Sequence, residues 1–392
     1  MVTGAPAKML DRREQLTPML SQYVDLAETY DDAVLLFRVG DFYKAFCETA
    51  DEVARVCELT RIEREHSTGT YTACGLPIDN PAPYLERPLE EGYRLAIADQ
   101  VEDPEETPGL VDRAVTRVVT PGTVVDDELL AAAASNYVAA VAVDPGSDRS
   151  QPEDTETTYG FAYVDVSTGE CAVTSGSRTA VASELARVGP AEVLCGPRVS
   201  DAPVEAVDTD AATTRGGSAE GDNDTITRES GDSGTDTGTA TFDAAAFRPE
   251  RADERLSQYT TADRFERAER VAVGGLLAYA EYTQGASGPL SYVQRVRRYD
   301  PRQSLRLDAT ALRGLELFEA HTPSGETLLE TVDETRSALG RRRLESWLRR
   351  PLVNRERIER RHDAVEALAG DSLVRAAVRE RFDAAYDLER LV

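Results

Sequence analysis

The sequence predicts a multidomain protein that is α/β through two successive units and mostly α in a third. Three observations lead there. At 392 residues the chain exceeds one ordinary domain, and 41% hydrophobic residues suffice for more than one core. Apolar strand-like runs alternate with amphipathic helical patterns over the first two units. Further on, helical patterns dominate and the charge reverses. Residues 291–361 hold sixteen arginines against eleven acids, a local +5, so with the chain at −27 the remainder carries −32.

Thr17-Pro18 is an N-cap followed by proline at the first helical position, and Met19, Tyr23, Leu26 and Tyr30 recur at helical spacing, predicting a helix over 17–30. Val34-Leu35-Leu36-Phe37 reads as a buried strand ended by Gly40. A second helix is expected from about Asp41, with Phe42, Phe46, Ala50, Val53 and Cys57 on its buried stripe. A stretch punctuated by glycine and proline, 69–83, precedes a helix near 84–91 and a strand over 93–98. This first unit spans 1–122, and 123–135 is a linker.

The second unit, 136–287, is predicted from strands at 137–143 and 161–166. A turn at Ser167-Thr168-Gly169-Glu170 then leads to a hairpin partner at 171–174. A helix at 181–188, a strand at 192–194 and a helix at 264–283 complete it. Within it, residues 201–240 carry ten acidic residues against two arginines among Gly, Ser and Thr, so about 199–240 reads as a disordered acidic insertion. The third unit, 288–392, is predicted helical at 309–320, 336–348 and 355–368, with Leu344 and Trp347 as core. The pattern stops at Asp387-Leu388-Glu389-Arg390-Leu391-Val392 without a closing Gly or Pro, and the unit reads as truncated.

Composition excludes several function classes. Lys8 and Lys44 are the only lysines; Met9 and Ala45 follow them, so no Lys-Ser/Thr phosphate loop exists in this chain. Five cysteines without a CxxC pair, and three isolated histidines, give no zinc pattern. Neither a signal-peptide apolar region nor a run of 18 apolar residues is present, so a cytoplasmic protein without membrane contact is expected. The acidic excess opposes generic nucleic-acid binding, but arginine in place of lysine on an acidic background also reads as adaptation to high salt.

Several strings then follow one family's order. Thr17-Pro18-Met19-Leu20-Ser21-Gln22-Tyr23, Phe37-Arg38-Val39-Gly40-Asp41-Phe42-Tyr43, Gly75-Leu76-Pro77 and 92–100 resemble the opening of the MutS family of DNA mismatch-recognition ATPases. The strings 115–123, 165–170 and 187–194 continue the resemblance, as do Gly325-Glu326-Thr327-Leu328-Leu329 and 339–352. The resemblance implies a mixed α/β mismatch-recognition domain, a ribonuclease-H-like α/β connector domain and the start of an α-helical core/lever domain. It implies binding to double-stranded DNA with a mismatch or small loop. It also implies a MutS-like second subunit, as homo- or heterodimer, and a downstream factor of the MutL type. ATP and Mg²⁺ belong to the complete family protein, and no cofactor is expected in this chain.

In the family an aromatic wedges beside the mispaired base, and a glutamate two residues later hydrogen-bonds that base. The matching positions are Phe42, Tyr43 and Lys44, so the family's Phe-x-Glu is here Phe-Tyr-Lys and an acceptor becomes a cationic donor. Two readings of Phe42 stand open: core, from helical spacing, or wedge, from the resemblance. Arg61, Arg64 and Arg117 are candidate phosphate contacts. The exchange at Lys44 also leaves an alternative function, a paralogue or fragment that binds DNA without mismatch reading or serves as a partner-interaction module. Asp165 and Glu170 do not supply the several converging carboxylates of a two-metal nuclease. For the arginine-rich stretch at 341–343, a phosphate-facing patch and a salt-bridged helical surface with Glu345, Glu356 and Glu359 are both open.

Overall fold

A computed structural model describes residues 2–66, 69–102, 109–125, 129, 135–143, 157–197, 199, 212–216, 240–322 and 324–387. The chain forms two compact units, one of Met1–Leu129, Ala212–Ala246 and Leu277–Leu290, the other of Leu130–Ala211, Phe247–Leu276 and Ser291–Val392.

In the first unit α1 (Pro18–Thr29) begins as its sequence dictates: the Thr17 side chain accepts from the Leu20 N–H. Strand β1 (Val34–Val39) turns through Gly40, at φ +62°, into β2 (Phe42–Phe46), which leads directly into α2 (Cys47–Val56). The helix expected from Asp41 thus starts six residues later, at Cys47. Left-handed Gly40 closes a hairpin, and antiparallel pairing of 42–44 with β1, and of 42–46 on the other side with 73–77, satisfies the backbone groups that a first helical turn would leave unpaired. The punctuated stretch also differs from expectation. Most of it belongs to an antiparallel pair, β3 (Ile62–His66) and β4 (Gly69–Pro77), ahead of α3 (Ala82–Glu90).

With β5 (Leu95–Gln100) and β6 (Arg113–Val119), the strands form a six-stranded sheet in the order β3-β4-β2-β1-β5-β6, with only β1 and β5 parallel. Helix α1 packs Leu20, Tyr23, Val24 and Ala27 against Leu35, Phe37, Phe46, Ala96 and Ala98. Tyr23 meets Phe37 and Phe46 edge-on at 5.6 and 4.9 Å, favoured aromatic geometries. Helices α2 and α3 pack on the same sheet, where Leu36, Cys74, Leu76 and Ile97 are buried.

In the second unit β7 (Tyr137–Val143), β8 (Tyr159–Asp165) and β9 (Cys171–Gly176) form an antiparallel meander; Gly169, at φ +73°, shapes the last turn. Helix α4 (Arg178–Val188) follows, and β10 (Glu192–Cys195) returns parallel to β7. The core joins Val181, Leu185 and Val188 to Ala139, Val141, Phe161 and Tyr163. Within the segment expected to be disordered, β11 (Ala212–Gly216) pairs in parallel with β12 (Ala240–Phe242). Residues 201–211 and 217–239 lie outside the described residues, as does most of the expected linker at 123–135.

Helices α5 (Pro249–Ser257) and α6 (Arg267–Thr283) and strand β13 (Val296–Arg298), parallel to β9, come next. The predicted helix 309–320 is shorter: α7 (Ala309–Gly314) ends in a turn at Leu315, and Glu316 takes φ +47°. A capping box of Thr327 and Glu330 starts α8 (Leu328–Val332). Helices α9 (Ala338–Arg349), α10 (Arg355–Gly370) and α11 (Ser372–Asp383) follow, capped by Ser337, Asn354 and Asp371. Trp347, expected in the core, is 37% exposed, with the Arg361 guanidinium against its ring.

Candidate nucleic-acid interface

The candidate interface lies on the β1–β2 hairpin. Phe42 opposes Val39 and Pro77, and Lys44 opposes Phe37 and Gly75, while Tyr43 between them opposes Arg38 and Leu76. Because side chains alternate along a strand, Phe42 and Lys44 share one face and Tyr43 lies on the other. Phe42, first in its strand, is 46% exposed, so the core reading from helical spacing does not hold.

The same alternation extends the Phe42 face outward. Arg64 opposes Tyr71 and Ile62 opposes Ala73, so Arg64 and the exposed Ile62 lie on this face. Lys8 donates to the Thr70 carbonyl at 3.0 Å, and its Nζ sits 5.7 Å from the Tyr71 ring centroid. The two lysines of the chain thus lie along the same β3-β4-β2 side of one sheet, Lys44 on β2 and Lys8 against β4. Burial first, and repulsion from Arg64 second, hold the Lys44 ammonium below its ordinary pKa. Gly75 leaves the backbone between Phe42 and Lys44 uncovered. A Cβ there would make only ordinary contacts, 3.5 Å from the Phe42 Cβ and the Lys44 Cγ.

Tyr43 and Arg117 do not join that group. The Tyr43 hydroxyl donates to Asp99 at 2.9 Å, Thr116 donates to the other Asp99 oxygen at 2.8 Å, and Arg38 lies 3.7 Å away. Burial, then the Asp99 hydrogen bond, pushes the Tyr43 phenol up to about 12, while Arg117 acts on it in the opposite direction. Arg61 is exposed and ion-paired with Asp51 at 3.1 Å. The sequence-predicted set thus divides: Phe42, Lys44 and Arg64 come together, Tyr43 and Arg117 occupy the reverse face, and Arg61 pairs with α2. Lys8, Ile62 and Gly75 complete the Phe42 face. The sequence does not mark them: Ile62 and Gly75 are aligned only by the register of β3 and β4, and Lys8 only by its contact with Thr70.

Elsewhere, Asp165 accepts from the N–H and hydroxyl of Ser167 at 2.9 and 2.6 Å, and Glu170 accepts from Tyr137 at 2.9 Å. These bonds tie Asp165 to its own turn and Glu170 to β7. No group of three or more His, Cys, Asp or Glu is placed to hold a metal ion among the described residues. Nor is any helix there long and apolar enough to cross a membrane.

Family models match almost the whole chain in order: MutS domain I over residues 17–128, MutS domain II over 136–294 and MutS domain III over 310–392. A DNA mismatch repair protein MutS of Haloquadratum walsbyi is 50% identical over 391 residues, covering 99% of this chain and 39% of that protein. A DNA mismatch repair protein MutS 2 of Haloarcula marismortui is 46% identical over 99% of this chain and 40% of its own length. The DNA mismatch repair protein MutS of Thermus aquaticus is 39% identical over 96% of this chain and 40% of its own length. The chain therefore spans about two fifths of the curated relatives it matches, the first two of them from halophilic archaea. On these matches and on its two α/β sheets followed by helices, the chain belongs to the MutS family and carries its domains I, II and III.

Proposed function

We propose that this chain is the DNA-recognition part of a mismatch repair protein and that it engages mismatched or kinked duplex through the Phe42 face. The observation that carries this reading is an exposed phenylalanine at the mouth of a hairpin, flanked by the cations Lys44 and Arg64 in a protein of net charge −27. An aromatic side chain stacked on a base contributes about 1–3 kcal/mol. Kinking costs least where pairing is already weak, so such a wedge favours mispaired sites. Lys44 and Arg64 supply phosphate attraction, and Lys44 donates to acceptors such as purine N7 or O6, where a glutamate would accept.

ATP and Mg²⁺ enter this reading as cofactors of the complete family protein. A MutS-like second subunit and a MutL-type factor are its partners. The second reading, DNA binding or subunit pairing without mismatch discrimination, rests on the charge of Lys44. Binding of matched and mismatched duplexes at one stated salt concentration decides between the two. The first reading predicts tighter binding of the mismatched duplex, with the preference changed by Lys44→Glu. Equal affinities, unmoved by that substitution, support the second.

A further inference from the structure

The arginines of the third domain divide into two sets. Arg341 pairs with Asp333, Arg342 with Asp387 at 2.7 Å, Arg349 with Glu345 at 2.9 Å and Arg355 with Glu359 at 2.7 Å. These are the salt-bridged helical surface that the sequence left open. Arg343, Arg357, Arg360 and Arg361 form no ion pair among the described residues and gather instead around Trp347.

The Arg361 guanidinium lies 3.7 Å from the Trp347 ring centroid and that of Arg343 lies 5.6 Å away. Arg357, Arg360 and Arg361, together with Leu352, Ala364, Val365 and Leu368, line an open hollow of about 350 Å³ beside the indole. Helical geometry segregates the charges of α10. At about 100° per residue, Glu359, Asp363 and Glu366 fall on the side opposite Arg361, whereas Arg357 falls beside it. Burial and repulsion from Arg343 and Arg357 lower the Arg361 pKa, with no acidic group opposing them. Like charges held together without a counter-charge, in an acidic protein, are relieved by an external polyanion.

We propose that this face of α9 and α10 is a nucleic-acid site distinct from the Phe42 face, which holds a strand by its phosphates and stacks a base on the Trp347–Arg361 pair. Guanidinium forks match phosphate oxygens bidentately, and exposed aromatic or guanidinium planes accept bases of any sequence. An acidic peptide would satisfy the charges but would leave the stacking surface unused.

Trp347 is the only tryptophan in the chain, so its emission reports on this site alone. Titrating the 392-residue chain with single-stranded oligothymidylate is expected to quench that emission to saturation. The double variant Arg357→Glu/Arg360→Glu changes two exposed side chains and leaves the Trp347–Arg361 stack intact. It is expected to weaken binding by on the order of tenfold or more and to lower the salt slope by about 0.7 for each phosphate no longer neutralised. Phe42→Ala is expected to leave the quenching curve unchanged, which separates this site from the mismatch reading. Saturating binding without quenching, or unchanged affinity in a double variant that keeps the wild-type circular dichroism, overturns the proposal. Equal quenching by polyglutamate also overturns it and assigns the face to acidic peptides.

Discussion

Phe42 and Lys44 are neighbours on one face of a strand, and each sits where stability alone would not put it. Phe42 leaves 46% of its surface exposed, giving up much of the burial that a phenylalanine gains in a core. Lys44 is half-buried beside Arg64, with its pKa lowered. A folded-state pKa below the unfolded one means that the charged form costs stability throughout the pH range where it is protonated, and that this cost fades only as pH rises through the lowered value. Lys44→Gln is therefore expected to leave the melting temperature unchanged or slightly raised near neutral pH while weakening duplex binding. A fall in melting temperature with unchanged binding would identify Lys44 as a structural residue. Tyr43 is the opposite case, its hydroxyl fixed by Asp99 on the reverse face.

At the scale of elements, what the sequence made legible was whatever local chemistry alone decides. The Thr17 cap, the turn at Gly169 and the strands at 137–143 and 192–195 follow from capping, turn and periodicity rules. The start of α2 did not, because Phe46, Ala50, Val53 and Cys57 keep helical spacing whether or not Phe42 begins the helix; long-range pairing with β1 and β4 settles it. The same cause hid half of the Phe42 face, since β3 and β4 hold Arg64, Glu63 and Gly75 where propensity favours no strand. Helix 309–320 failed for a local reason, Gly314 followed by Glu316 in a left-handed conformation. One packing contact is tight enough for a strong prediction. A Cβ on Gly160 of β8 would lie 2.0 Å from the Ala268 carbonyl oxygen of α6. Gly160→Ala is expected to cost about 3 kcal/mol and to lower the unfolding temperature by roughly 6–12 °C in a thermal melt. A change within one degree would mean that strand and helix separate without penalty.

For the whole molecule, net charge and binding face oppose each other. A chain at −27 repels both itself and DNA, while Lys8, Lys44 and Arg64 place positive charge along the β3-β4-β2 side of one sheet. Salt screens both effects, so adding KCl is expected to raise the melting temperature and to weaken duplex binding together. Arg64→Gln is expected to reduce the slope of log affinity against log salt by about 0.9, the contribution of one phosphate contact. An unchanged slope would place Arg64 outside the interface. Recognition through this face turns on Phe42 stacking on the mispaired base, and a duplex carrying the fluorescent base 2-aminopurine in a mispair tests that directly. Binding of the wild-type chain is predicted to change the probe's fluorescence, Tyr43→Phe to preserve that change and Phe42→Ala to abolish it while the chain remains folded. An identical fluorescence change with Phe42→Ala, or with a fully paired duplex, would contradict the account.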